Sequence, residues 1–164
     1  MSKSFSIHTG YVYSAKESFG FASVSSSNDH KAEAVHAALK PIFDWIVENQ
    51  IKNVTLVSDS TVAQYRNAKN VFLVQSFARQ NGITCQWLYT EAGHGKSVCD
   101  GIGGALKTKL KEAAAINPSL VIASPEDVIQ IVQPNSKIHL SVSNYYFISE
   151  DHWVFGCPSW FFMA

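Results

Sequence analysis

Val54-Thr-Leu-Val-Ser-Asp59 and, later in the chain, Asp100-Gly-Ile-Gly-Gly-Ala-Leu106 are the stretches that decide the fold. The first is a short apolar strand pattern that ends in an acid. The second begins a helix with an acid, directly after a glycine-containing loop. Ligands of open α/β sheets bind beyond the carboxyl ends of the strands, so we expect Asp59 and Asp100 to contribute to one site. Each acid could instead cap a helix, which is the alternative interpretation of its position.

The residues on either side predict a mixed sheet with helices on its faces, which is an α/β architecture. The β-rich runs 5–13 and 19–25 predict an antiparallel hairpin. Residues 30–48 carry apolar side chains at helical spacing, and Pro41 is expected to kink or break that helix. The later patterns predict a strand at 54–57, a helix at 62–81, a strand at 83–89, a helix at 100–115, a short helix at 125–132 and short strands at 137–142, 145–148 and 152–155.

Composition predicts one globular domain over residues 1–164. Hydrophobic residues make up 46% of the chain and charged residues 16%, and we expect a core at 5–115 followed by a β-rich tail at 116–164. The 13 basic and 13 acidic residues cancel, which argues against a strongly basic binder of nucleic acid. The three cysteines suggest no disulfide framework, and Cys85 is expected to be a buried thiol. No apolar run approaches the roughly 20 residues of a membrane span, so we predict an intracellular protein without a membrane partner.

The two acids predict a site for a divalent cation. Carboxylates that neighbouring elements bring together repel each other unless a cation lies between them. Mg²⁺ and Mn²⁺ are the cations that oxygen ligands favour, and two such ions can hold the attacking and leaving oxygens of a phosphodiester. Asp59 and Asp100 are therefore the predicted metal ligands and catalytic acids. Asp29, Glu33 and Glu91 could join them, or could cap helices and lie on solvated faces.

Polar residues beside each acid predict contacts to phosphate groups. The loop Glu91-Ala-Gly-His-Gly-Lys-Ser97 lacks the spacing of a P-loop, because Thr90 occupies the position of the first glycine. An ordinary exposed helix face is the alternative for the patch that follows Asp59. Glycines 101, 103 and 104 are expected to allow close packing of their helix on the sheet. The candidate nucleic-acid contacts are Gln64, Tyr65, Arg66, Asn67, His94, Lys96 and Lys107.

Two longer motifs carry a resemblance to a known group of proteins. They are Ser58-Asp-Ser-Thr-Val-Ala-Gln-Tyr-Arg-Asn67 and the segment from Glu91-Ala-Gly-His-Gly-Lys-Ser to Lys107, with Trp87 between them. Over residues 5–115 the chain resembles invertebrate proteins derived from mobile elements, which look like DDE-type transposases with a ribonuclease-H-like core. The resemblance implies a ribonuclease-H-like mixed sheet with flanking helices. In that comparison Asp59 matches the acid on the central strand and Asp100 the acid on the late helix. The same comparison places Glu33 or Asp29 near a helix that sometimes supplies another acid.

The resemblance also implies a first core strand that carries an acid. This chain begins at about the second strand of the pattern, so we expect the first strand and its acid to be missing. The β-rich tail or a second chain would then complete the sheet. Ser60 and Ser97 stand where the pattern has glycine, and Thr108 stands where arginine is usual.

These observations favour a transposase- or nuclease-related domain that acts on phosphodiester bonds with Mg²⁺ or Mn²⁺. Its expected partner is nucleic acid, with DNA favoured, and its expected location is inside the cell, with the nucleus included. The alternative is a catalytically dead relic that binds nucleic acid or protein. A homo-oligomer is compatible with both, and a fragment without independent function is a third hypothesis. The aromatic tail could form a partner surface or pack as a terminal strand; it consists of Trp153, Phe155, Trp160, Phe161 and Phe162.

Overall fold

The computed structural model describes residues 5–27, 31–60, 65–90, 98–134 and 136–143, and the backbone of 160–163. Within these residues the chain forms strands and helices in the order of a mixed α/β protein. The strands are β1 (Ser6–Tyr13), β2 (Ser18–Ser25), β3 (Asn53–Asp59), β4 (Thr84–Thr90), β5 (His139–Val142) and β6 (Trp160–Met163). The helices are α1 (Ala32–Glu48), α2 (Ala68–Asn81), α3 (Val98–Ile116) and α4 (Pro125–Val132).

The strands form one sheet in the order β4-β3-β6-β1-β2-β5. The predicted hairpin is confirmed, because β1 and β2 pair antiparallel along their whole length. β3 and β4 are parallel neighbours, and β5 is parallel to β2. β6 pairs parallel with β1 and antiparallel with β3, so β1 and β3 run in opposite directions. The predicted α/β class is therefore confirmed.

Each face of the sheet is covered by a different pair of helices. Val54 and Leu56 of β3 pack with residues of α1 and α2 in one buried cluster, which defines the α1–α2 face. Ala22 and Val24 of β2 pack with α3 and α4 in a second buried cluster, which defines the α3–α4 face. The split follows from the alternation of side chains along a strand.

Helix α1 runs without a break through Pro41, so of the two expected outcomes, a kink or a break, the break does not occur. Proline removes one backbone donor and crowds the preceding turn. Burial on both sides of the proline offsets that cost, because Leu39 and Ile42 are both almost fully buried against the sheet. Packing therefore overrides the local preference against an interior proline.

Helix α2 begins at Ala68, later than predicted. Its N-cap is Asn67, whose side-chain oxygen accepts a hydrogen bond from the backbone N–H of Asn70 at 2.9 Å. Gly82 ends the helix in the left-handed conformation, with φ of 60°, as glycine does most readily. The cap at Asn67 therefore places the start of the helix at Ala68 and not at the predicted residue 62.

The tail contributes strands to the same sheet as the core. Ser124 caps α4 in a capping box with Asp127, which agrees with the predicted short helix. β5 lies within the predicted strand at 137–142. The predicted strands at 145–148 and 152–155 lie outside the described residues. β6 joins the sheet between β1 and β3, where its backbone pairs on both sides.

The close contact between α3 and the sheet is made at a strand glycine. A Cβ atom on Gly20 of β2 would lie 2.7 Å from Cδ1 of Ile102. Gly103 approaches Thr9 only at an ordinary 3.8 Å, and a Cβ on Gly101 or Gly104 would meet no atom of the described chain within 4 Å. The expectation that the helix glycines allow close packing is therefore wrong for Gly101 and Gly104.

Replacing Gly20 with alanine is expected to lower the free energy of unfolding by about 0.5–1.5 kcal/mol, because the added methyl group forces the terminal methyl of Ile102 out of its preferred rotamer. Chemical denaturation measures this change. Gly104→Ala is the matched control, because its position is exposed and alanine favours a helix by about 1 kcal/mol over glycine. A loss of stability at Gly104 as large as that at Gly20 would contradict this account of the packing.

No helix among the residues that the structure describes combines the length and the hydropathy that crossing a membrane requires.

Candidate functional site

Asp59 ends β3 on the α3–α4 face of the sheet. Val54 and Leu56 point into the buried cluster of the opposite face. Because side chains alternate along a strand, Val57 and Asp59 point the other way. Asp59 is exposed. Its carboxylate therefore lies at the carboxyl end of the strand, on the face that carries α3.

The backbone around Asp59 is held by the neighbouring strand. Thr90 Oγ1 of β4 donates a hydrogen bond to the carbonyl oxygen of Ser58 at 3.2 Å. Trp87 Nε1 donates to Ser58 Oγ at 3.0 Å, and Ser58 Oγ donates to the carbonyl oxygen of Asp59 at 2.9 Å. These contacts fix the strand end, so the position of Asp59 does not depend on its own side chain.

Asp100 lies in the first turn of α3, two residues after the helix begins at Val98. An acid in that turn is favoured by the partial positive charge of a helix N-terminus. Asp100 can therefore stabilise the start of the helix, as the capping alternative supposes, although it is not itself the N-cap. Thr9 Oγ1 of β1 donates a buried hydrogen bond to the carbonyl oxygen of Cys99 at 3.0 Å. That bond anchors the start of α3 to β1, directly beside Asp100.

The strand registers bring the two acids to the same edge of the sheet. Val57 of β3 and Tyr11 of β1 both pair with Phe161 of β6. Asp59 and Thr9 each lie two residues beyond that row, and both point to the α3–α4 face. Since two strand spacings separate them, their Cα atoms lie about 10 Å apart. The exposed Asp59 and the anchored first turn of α3 thus share one face and one edge.

Glu33 is engaged on the other face. It lies in the first turn of α1 and forms an ion pair with Lys69 in the first turn of α2. Its side chain is 18% exposed. The ion pair joins α1 to α2 on the α1–α2 face, whereas Asp59 points to the opposite face. The structure therefore does not bring Glu33 to the two acids.

The polar patch that follows Asp59 divides into three roles. Tyr65 is only 1% exposed and belongs to the buried cluster of the α1–α2 face. The prediction that Tyr65 contacts nucleic acid is therefore wrong. Asn67 caps α2. Arg66 remains exposed; burial raises the pKa of Tyr89, and the positive charge of Arg66 opposes this in part. Arg66 is therefore the member of this patch that offers a cation beside the ends of β3 and β4.

Lys107 lies on the exposed side of α3, about one turn beyond Gly104. It can reach a ligand that approaches this helix from solvent. The remaining candidates lie outside the described residues; they are Asp29, Gln64, Glu91, His94 and Lys96.

The described acids suit a metal site that is completed by water and substrate, and not one that is enclosed by protein ligands alone. Among the described residues, no group of three or more His, Cys, Asp and Glu side chains could hold a metal ion. Mg²⁺ is commonly held by one or two carboxylates and completes its octahedron with water and substrate phosphate. Asp59 and Asp100 carry oxygen donors of the type that such a site uses.

Sequence reasoning missed two buried polar groups and identified one thiol. His36 and Asn70 are fully buried between α1 and α2, where polar side chains carry no periodic signal. Cys85 is a half-buried free thiol, and burial raises its pKa to about 11, so it is a poor nucleophile. The expectation of a buried thiol at Cys85 is therefore met only in part, since the side chain is half-buried.

The comparisons with known proteins identify a family and no relative of known activity. A search of the curated proteins found no match, and neither did a search of the solved structures. A family model described as a domain of unknown function, DUF8701, matches residues 1–153. The match spans β1 to β5 and includes Asp59 and Asp100, and it ends before β6. Because it covers more than half of the chain, the protein belongs to the DUF8701 family.

Proposed function

We propose that this protein is a ribonuclease-H-like domain, related to transposases or nucleases, that acts on phosphodiester bonds with Mg²⁺ or Mn²⁺. The observation that carries the proposal is the location of Asp59 and the first turn of α3 on one face and one edge of the sheet. The motif resemblance supports the same two acids. The proposed partner is nucleic acid, with DNA favoured, inside the cell.

The architecture supports the ribonuclease-H-like part of the proposal. An antiparallel hairpin and a parallel strand pair lie on either side of a central strand, and helices cover both faces. One feature counts against a complete catalytic set. The acid that the resemblance expects on a first core strand has no counterpart in β6, since Trp160-Phe-Phe-Met163 contains no carboxylate.

Each residue of the site has a definite task in this proposal. The carboxylate oxygens of Asp59 and Asp100 would hold a divalent cation, which supplies charge stabilisation for a phosphodiester under attack. The hydrogen bonds to Ser58 and Cys99 keep the two supports of these acids in place. Arg66, with its planar fork of donors, would bind a backbone phosphate beside the strand ends.

Cleavage of labelled DNA and RNA in Mg²⁺ or Mn²⁺ tests the proposal. Asp59→Asn and Asp100→Asn are each expected to lower the rate by about 10²-fold or more, because each removes a charged oxygen ligand from the metal. Asp44→Asn is the matched control, since Asp44 is an exposed acid on α1 that pairs with Lys40. An inactive wild type, or activity that survives Asp59→Ala, would overturn the proposal.

A non-catalytic binding module is the second candidate, and the engagement of Glu33 with Lys69 favours it because no third described acid joins the site. Such a module would bind nucleic acid without cleaving it. Replacing Arg66 with glutamine would then reduce the slope of the logarithm of the binding constant against the logarithm of salt concentration by about 1, the value for one lost phosphate contact. A failure to bind DNA and RNA at low salt would leave a protein partner as the remaining version.

A further inference from the structure

Strand β6 is the only strand that joins the two parts of the described sheet. One part contains β1, β2 and β5, and the other contains β3 and β4. Backbone pairing connects them through β6, which bonds to β1 on one side and to β3 on the other. Continuity of the sheet therefore depends on four residues of the chain, Trp160–Met163.

Each part of the sheet supports one of the two acids. Asp59 ends β3, whereas Asp100 follows the residue that Thr9 of β1 anchors. α3 packs on β1 and β2 and belongs to the first part. The separation between the two supports is consequently set by the strand that lies between β1 and β3.

The two parts have a second connection that does not involve β6. The buried cluster of the α1–α2 face contains Val12 of β1, Leu39 of α1 and Leu56 of β3. Helix α1 thus packs across both parts of the sheet. Departure of β6 would then change the spacing of the acids without unfolding the domain.

We infer that β6 is the spacer strand that assembles the site of Asp59 and Asp100. With β6 in place, the acids are supported two strand spacings apart. With β6 released, that separation between β1 and β3 is no longer fixed. Asp59 and Asp100 then move out of the positions in which they form one site. The consequence for metal binding rests on the proposed function, whereas the spacer role of β6 does not.

Proline at position 161 tests the spacer role in the full chain. Phe161→Pro removes a backbone donor from the middle of β6, and its ring obstructs pairing. Hydrogen exchange is expected to speed up at the β1 and β3 amides that face β6, and to stay slow where β1 pairs with β2 and β3 pairs with β4. Mn²⁺ affinity is expected to fall by at least about tenfold. Phe161→Tyr is the control, because it keeps both the donor and a β-favouring residue.

A cysteine pair provides a second variant that does not depend on weakening the strand. Val57 and Phe161 are directly opposed in an antiparallel pair, where Cα atoms lie about 4.5–5.5 Å apart, a separation that a disulfide can span. In a background in which the native cysteines are serine, Val57→Cys with Phe161→Cys is expected to cross-link within one chain. Oxidation should then slow exchange at β1 and β3 and preserve Mn²⁺ affinity.

The outcomes separate the spacer role from the proposed function. Unchanged exchange at β1 and β3 in Phe161→Pro would overturn the inference. So would unchanged Mn²⁺ affinity despite faster exchange, or a disulfide that forms only between two chains. If wild type binds no Mn²⁺, the proposed function fails, and the exchange data still decide the role of β6.

Discussion

Replacing Leu56 with alanine is expected to lower the free energy of unfolding by about 3–5 kcal/mol. Leu56 is 0% exposed and lies in the middle of β3, in the buried cluster that joins β1, α1 and β3. Removing its side chain leaves a cavity that strands paired on both sides cannot easily close. Urea denaturation measures the change.

Leu88→Ala in the adjacent strand is the matched control for this effect. Leu88 is 48% exposed on the α3–α4 face, so it should contribute no more than about 1 kcal/mol. Equal losses of stability at the two positions would contradict the assignment of Val54 and Leu56 to the α1–α2 face. That assignment also determines the face to which Asp59 points.

Acid is expected to destabilise the protein through His36. Burial lowers the pKa of His36 to about 3, and the neighbouring side chain of Asn70 opposes this only in part. An unfolded histidine titrates near 6.5, so between the two values the unfolded chain binds a proton that the folded chain does not. The free energy of unfolding therefore falls as pH is lowered from about 6.5 to about 3, by up to about 1.4 kcal/mol per pH unit.

Denaturation at a series of pH values in the wild type and in His36→Gln isolates this contribution. Glutamine retains hydrogen-bonding groups and does not titrate, so the difference between the two curves reports on the imidazole. The wild type should lose more stability than the variant over this range. Parallel curves would show that the imidazole is protonated in the folded protein, contrary to its complete burial.

Local patterns predict the elements whose signal is contained in their own residues. The β1–β2 hairpin, α4 with its Ser124 cap and the Gly82 stop of α2 all follow from short stretches of sequence. The continuity of α1 through Pro41 does not, because it depends on burial of the residues on both sides of the proline. The start of α2 was ambiguous since several capping residues follow β3, and only the packed structure selects Asn67.

The site shows the same division between local and long-range information. The end of β3 at Asp59 and the face to which it points follow from alternation within one strand. The approach of α3 to β1 depends on the bond between Thr9 and Cys99, which joins residues far apart in sequence. The insertion of β6 is equally nonlocal, since Trp-Phe-Phe-Met is compatible with a terminal strand in any position.

Titration of the full chain with Mn²⁺, with free Mn²⁺ followed by electron paramagnetic resonance, tests the shared site of Asp59 and Asp100 most directly. Wild type and the control Asp44→Asn should bind the ion with the same affinity, because Asp44 pairs with Lys40 on α1. Asp59→Asn and Asp100→Asn should each weaken binding by at least about tenfold, since Mg²⁺-type sites depend on one or two carboxylates. Wild-type affinity in either variant, or no binding by the wild type, would contradict the account.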